Sequence, residues 1–212
     1  NTDKATYEIQ FGSVERPTHK NTSWDAAKFE VCGHKYMDLS DYGYGVSLLN
    51  DCKYGHNVDN GTMKLSLFKC ATYPDPEADK GEHIFTYSLL PHAGNYRSAG
   101  TVQMAYELNN PMKAFPIDKQ DGNLPDEYSF VSCDKDNFIV ETVKKAEDSN
   151  DIVVRGYESY NEKTKVTLSF GFEIKKAVLC DLLENDIENI EIKDKSVSFI
   201  AKPFEIITIK VN

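Results

Sequence analysis

Thr164-Lys165-Val166-Thr167-Leu168-Ser169-Phe170-Gly171-Phe172 sets an apolar side chain at every second position, with Val166, Leu168, Phe170 and Phe172 on one side and Lys165, Thr167 and Ser169 between them. A period of two is that of a pleated strand, whose successive side chains point to opposite faces, so the stretch reads as a strand with one buried face. The same rhythm returns in Met63, Leu65 and Leu67, in His83, Phe85, Tyr87 and Leu89, and in Ile207, Ile209 and Val211. Further β-branched or aromatic runs lie near residues 27–32, 44–49, 128–133, 137–143, 151–157, 174–180, 190–193 and 197–200. Turn formers separate them: Asp59-Asn60-Gly61, Asp121-Gly122-Asn123, Asp148-Ser149-Asn150 and Asn161-Glu162-Lys163. About a dozen short strands joined by tight turns predict an all-β, antiparallel β-sandwich. No helical pattern alternates with the strands, which excludes a doubly wound or (β/α) barrel fold for this stretch.

One segment departs from the rule. Between Ala99 and Asn110, Val102, Ala105, Tyr106 and Asn109 recur at helical spacing and Pro111 follows, predicting one short helix near 99–110. After about Asp126 the hairpin rhythm becomes plainer and richer in Glu, Lys, Ile and Val. The expected organisation is a larger β-sandwich region over 1–120 and a smaller β-sheet region over 121–212, divided between Lys119 and Pro125, with one continuous sandwich as the other arrangement. Tyr7, Ile9 and Phe11 alternate near the start, and residues 1 to 25 are the expected docking face for further domains.

With 34 acidic against 24 basic residues the 212-residue chain carries a net charge of −10, which repels phosphate backbones and argues against a nucleic-acid partner. No apolar run approaches the roughly 18–20 residues that span a bilayer, so no membrane role is expected. The opening Asn1-Thr2-Asp3-Lys4 is neither an initiator Met nor a signal peptide, and the expectation is a piece of a larger protein. Cys32, Cys52, Cys70, Cys133 and Cys180 form no C-x-x-C pair, and reduced, partly buried thiols in a cytoplasmic setting are expected. The sequons at Asn21-Thr22-Ser23 and Asn60-Gly61-Thr62 point the other way, but such triplets are common by chance.

Motifs with a strong chemical signature are absent: there is no G-x-S-x-G elbow, P-loop or H-E-x-x-H. Asp75, Glu77 and Asp79 are spaced like calcium ligands, but Gly81 falls at the seventh place of the run and Thr86 at the twelfth, where an EF-hand needs Gly at the sixth and Glu at the twelfth. An acidic connection is expected instead. His19, His34, His56, His83 and His92 show no ligand spacing, and His83 is in phase with an expected inward face. The richest stretch is Asp38 to Asn57. There, Gly- and Tyr-containing turns flank the strand Val46–Leu49 with carboxylates and amides at both ends, a combination that suits sugar hydroxyls and C–H faces as well as it suits tight turns.

Arg16-Pro17-Thr18-His19, Asn21-Thr22-Ser23-Trp24-Asp25, the run Tyr44 to Gly55, Thr72-Tyr73-Pro74-Asp75-Pro76-Glu77-Ala78-Asp79, Phe85 to His92 and Lys202-Pro203-Phe204-Glu205-Ile206 follow one another in a recognisable order. Together they resemble the C-terminal β region of the family 38 glycoside hydrolases, the retaining α-mannosidases, over most of the chain.

That resemblance implies a non-catalytic portion of an enzyme that hydrolyses α-mannosides in glycans. The zinc ligands, the nucleophile and the general acid would reside in an N-terminal barrel that is followed by a helical bundle, and these would be the partners of this segment. It implies no catalytic residue, metal or cofactor here. It also implies that a loop aligned with Asp38 to Gly45 reaches the barrel mouth. Golgi-type members carry an Arg there; this sequence offers Asp41 and Tyr42 as substrate-rim residues, with Asn50, Asp51, Lys53 and Tyr54 supporting the loop or the barrel contact. A stand-alone carbohydrate-binding module is the alternative, with Trp24 a thin supply of platform aromatics.

Overall fold

The computed structural model describes residues 2–119, 121–123 and 125–212. Two positions of the expected domain boundary, 120 and 124, fall outside that description. The chain divides into two compact units, Asn1–Met112 and Lys113–Asn212.

The first unit runs β1 (Lys4–Ile9), β2 (Gly12–Pro17), α1 (Ser23–Ala27), β3 (Val31–Cys32), β4 (Tyr36–Ser40), β5 (Tyr44–Asn50), β6 (Gly55–Asp59), β7 (Thr62–Ser66), β8 (Tyr87–Ala93) and α2 (Thr101–Asn109). Its strands make a five-stranded sheet in the order β2-β1-β4-β5-β8 and a three-stranded sheet β3-β6-β7. Ala5, Tyr7, Met37 and Leu48 from the larger sheet pack with Val58 from the smaller one to form the core. On the opposite face of the larger sheet Tyr36, Leu49, Val102 and Ala105 are buried, with α2 packed on β4 and β5. The β6–β7 hairpin turns on Asn60 and Gly61, both at positive φ (53° and 76°). Those are the dihedrals of the turn whose twist matches a two-residue hairpin, and Asn-Gly adopts them at least cost.

The second unit runs β9 (Val131–Cys133), β10 (Phe138–Lys145), β11 (Ile152–Glu158), β12 (Thr164–Phe170), β13 (Ala177–Cys180), β14 (Asp186–Asn189), β15 (Ile192–Lys193), β16 (Ser196–Ala201) and β17 (Ile206–Val211). A sheet β10-β11-β17-β13-β14 faces a sheet β15-β16-β12-β9. Val166, Leu168 and Phe170 interlock with Phe138, Val154, Ile207, Ile209 and Val211 as the core of a β-sandwich, as their period-two spacing predicts. All pairings in both units are antiparallel.

Some expectations need correction. The strand expected over 27–32 is only Val31–Cys32, preceded by α1, because Thr22 and Asp25 close a reciprocal capping box that starts a helical turn. Cys180 is buried, but Cys32 and Cys70 are exposed. Tyr7 is core and not docking surface, being 2% exposed. His83 and Phe85 precede β8 and do not belong to it. His83 is exposed, its Nε2 2.9 Å from the Asp79 carbonyl and its ring stacked on Phe68.

Candidate functional site

The hairpin between β4 and β5 carries the two residues expected at a substrate rim. Asp41 shapes its turn: Oδ1 accepts the N–H groups of Gly43 and Tyr44, both at 2.9 Å, while the Asp41 N–H donates to the Tyr44 carbonyl at 2.9 Å. The N–H of Gly94 holds the Gly43 carbonyl at 3.0 Å. The donors from Gly43 and then Tyr44 stabilise the carboxylate and hold the Asp41 pKa below its ordinary value. Tyr42 at the tip is wholly exposed (relative accessibility 108%), so this locked turn presents an aromatic ring that rests on nothing of its own unit.

Beneath the turn lies a polar cluster that sequence reading missed. Asp38 is 2% exposed; its Oδ1 accepts Ser40 Oγ at 2.5 Å, and its Oδ2 meets Ser47 Oγ and His92 Nε2, each at 2.8 Å. Ser47 Oγ is in turn 2.8 Å from Thr101 Oγ1 at the start of α2. The signal was available in part: Asp38 and Ser40 alternate with Tyr36, and the register places Asp38 opposite Ser47 and Gly45 opposite His92. The cluster also explains Gly45, since a Cβ there would lie 2.1 Å from Ser40 Oγ and 2.4 Å from His92 Cε1. Ser and Asp approach the same imidazole nitrogen, so the group lacks the relay order of a nucleophilic triad and is a structural lock.

Two open clefts flank the tip. One, of about 510 Å³, is lined by Lys4, Glu15, Asp38, Tyr42 and Arg97 among others. The other, of about 750 Å³, is lined by His19, Lys20, Tyr44 and Asp59 among others. Both include Thr2, Asp3, Ser40 and Asp41, so Asp41 stands on the ridge between them.

Asn50, Asp51, Lys53 and Tyr54 occupy the other end of β5. Its seven residues, at about 3.3 Å each, put them roughly 20 Å from the tip, so they do not brace the Asp41 turn. Asn50 is buried: Oδ1 accepts the N–H groups of Cys52 (3.2 Å) and Lys53 (2.6 Å), and Nδ2 donates to the His34 carbonyl at 2.8 Å. Asp51 Oδ1 accepts the Thr86 N–H at 3.0 Å, and hydrogen bonds from Cys52 and then Thr86 lower its pKa. Lys53 Nζ lies over the Phe85 ring at 5.2 Å, and Tyr54 sets an edge against His34 at 5.0 Å. A small cavity of about 200 Å³ opens there among Glu8, His34, Lys35, Asn50, Tyr54 and Asn109.

Among the described residues no group of three His, Cys, Asp or Glu side chains is placed to hold a metal ion. In the acidic connection, Asp75 and Asp79 spend an oxygen each on the N–H groups of Glu77 and Ala71. The described residues of this segment do not fit the zinc that the family resemblance implies for a longer polypeptide.

Residues 1–77 match the family model described as "Glycosyl hydrolases family 38 C-terminal domain", and residues 137–209 match "Glycosyl hydrolases family 38 C-terminal beta sandwich domain". The chain belongs to the family 38 glycosyl hydrolase C-terminal domains. This family 38 segment is 41% identical to alpha-mannosidase 2C1 of Homo sapiens over 97% of its own length and 20% of that protein's. It is 44% identical to alpha-mannosidase G of Dictyostelium discoideum, over 97% of the segment and 19% of that protein. A crystal structure of an alpha-mannosidase from Enterococcus faecalis V583 superimposes on all of it with a TM-score of 0.82 at 22% identity, using 24% of that chain, which establishes the shared all-β fold. The family 38 segment thus spans about a fifth of the length of the relatives it matches.

Proposed function

We propose that this chain serves as the non-catalytic C-terminal β portion of a longer retaining α-mannosidase, and that the β4–β5 tip, Tyr42 with Asp41 behind it, stands at the rim of a mannoside site whose zinc, nucleophile and general acid the rest of the polypeptide supplies. The observation that carries this reading is the wholly exposed Tyr42 ring on a turn fixed by four hydrogen bonds. An exposed aromatic costs little ordering entropy when its backbone is already locked, and it offers a face to sugar C–H groups while neighbouring carboxylates accept from hydroxyls. The two polar clefts that meet at Asp41 suit the same ligand class. At the far end of β5, Asn50 and Asp51 act as turn-formers, and Lys53 and Tyr54 are the side chains offered to a neighbouring domain.

The cytoplasm is the proposed compartment. Cys32, Cys52 and Cys70 are free and exposed, a state that a reducing environment preserves. No helix of the structure, among the described residues, is long and apolar enough to cross a membrane.

Tyr42→Ala in the full-length enzyme provides the test, because this side chain supports nothing in its own fold. The expected result is a fall in kcat/KM toward α-mannosides of about tenfold, the effect of losing roughly 1.4 kcal/mol of contact, with an unchanged Tm. An unchanged kcat/KM would remove the tip from the rim. Asp41→Ala is the poorer probe, since it also removes the acceptor that shapes the turn.

A further inference from the structure

The register of the larger sheet in the first unit sets Leu89 of β8 directly opposite Leu48 of β5, and Leu48 opposite Met37 of β4. All three therefore stand on the face that packs against the three-stranded sheet. Met37 is 0% exposed and Leu48 6%, yet Leu89 is 62% exposed. The apolar face runs on by one strand past its cover. Tyr87, two residues earlier on the same face, is 58% exposed.

The segment leading into β8 also leaves large apolar side chains in water. From Phe68 to Tyr87 every residue is exposed except Asp79 and Phe85, and Phe68, Tyr73 and Ile84 are 55%, 88% and 84% exposed. The segment is nonetheless held in shape. Phe68 stacks on His83, Asp79 accepts the Ala71 N–H, and Thr86 is bound at both its N–H and its carbonyl by Asp51. An ordered arm that buries almost none of its aromatic and aliphatic side chains, beside an uncovered core face, has the composition of a contact surface: large apolar groups within a polar frame. Among the described residues β8 is also the last strand of its sheet, with one edge unpaired.

We propose that this arm and the uncovered face of β8, centred on Tyr73, Ile84, Tyr87 and Leu89, form the seat of the remainder of the same polypeptide. The inference rests on the reading of this chain as one portion of a longer enzyme. The occupant follows from length: relatives 41–44% identical over nearly the whole chain are about five times its length. A surface built within the shared segment is most economically covered by the part of the chain that all such proteins carry. The seat differs from the face expected from sequence, residues 1 to 25, where Tyr7 turns inward.

The test compares Leu89→Glu and Ile84→Glu in two settings, the full-length polypeptide and the 212-residue chain. The expected result is a Tm lowered by several degrees in the full-length protein and unchanged in the 212-residue chain, where both side chains already face water. Unchanged Tm in both settings, or an equal fall in both, would overturn the proposal. So would a dimer of the 212-residue chain that the substitutions dissolve while the full-length protein is unaffected, since the occupant would then be a second copy. If a full-length variant does not fold, amide exchange of residues 84–93 in the unmodified proteins decides: protection present only in the full-length protein supports the seat, and equal exchange contradicts it. These readouts do not involve turnover, so a kinetically silent Tyr42→Ala would leave them standing.

Discussion

His92 Nε2 lies 2.8 Å from Asp38 Oδ2, the two side chains being 6% and 2% exposed, although 54 residues separate them in sequence. Strand pairing brings them together, since both sit on the α2-facing side of the larger sheet, and Ser40, Ser47 and His92 converge on the one carboxylate. Asp38→Ala removes the acceptor shared by the buried Ser47 hydroxyl, the half-buried Ser40 hydroxyl and the His92 ring, while Ser47 keeps its bond to Thr101. It is expected to cost about 3 kcal/mol of stability, the range for removing one member of a buried, hydrogen-bonded polar group, and denaturant unfolding monitored on the first unit checks this.

The cluster also dictates which glycine of the hairpin is replaceable. Gly45→Ala drives a methyl into Ser40 Oγ and His92 Cε1 and is expected to cost about 1–3 kcal/mol. Gly43→Ala, two residues away with nothing within 4 Å of the new carbon, is expected to stay within about 0.5 kcal/mol of the parent. Paired thermal melts of the two variants separate these outcomes.

In the second unit Glu158 is 0% exposed and serves as an acceptor for four groups: Asn137 Nδ2 (2.9 Å) and the Tyr160 N–H (2.7 Å) at Oε1, and the N–H groups of Glu162 (3.0 Å) and Phe204 (3.1 Å) at Oε2. Glu158→Gln puts an amide donor against N–H donors at one of these oxygens. The expected loss is about 2 kcal/mol or more, seen as a lower unfolding midpoint with the slope unchanged.

His56 is fully buried, its Nδ1 is 3.2 Å from the Tyr54 carbonyl, and its Nε2 has no hydrogen-bond partner among the described residues. Burial holds its pKa below the ordinary 6.5. The unfolded chain therefore takes up the proton first as pH falls, so the folded state keeps its full stability above about pH 6.5 and loses it as pH drops from there through the lowered folded value. Comparing Tm against pH for the parent and His56→Leu isolates this term: the acid-side decline should be shallower in the variant, and parallel curves would dismiss it.

The parts of this architecture that depend on neighbouring residues were open to sequence reading. Val166, Leu168 and Phe170 alternate because each pleat contributes one side chain to the sandwich core, and Asn60-Gly61 turns a hairpin because both residues tolerate positive φ. The α2 pattern, with Val102 and Ala105 on its buried face, was equally local. What depended on distant partners was hidden. Nothing near Asp38 in the sequence announces His92 or Ser47, and nothing near Leu89 says that the cover provided by β3, β6 and β7 stops one strand short. Alternation reports which face a side chain takes, but burial also requires an opposing layer. The candidate residues divided in the same way. Asp41 and Tyr42 share one turn, whereas Asn50 to Tyr54, though near them in sequence, lie at the opposite end of a strand.

We propose that this segment frames a mannoside site without performing the chemistry. Incubating an aryl α-mannoside with the purified 212-residue chain, beside the full-length enzyme at equal concentration, measures it most directly. The account predicts release of the aryl group by the full-length enzyme alone; sustained turnover by the 212-residue chain would contradict it.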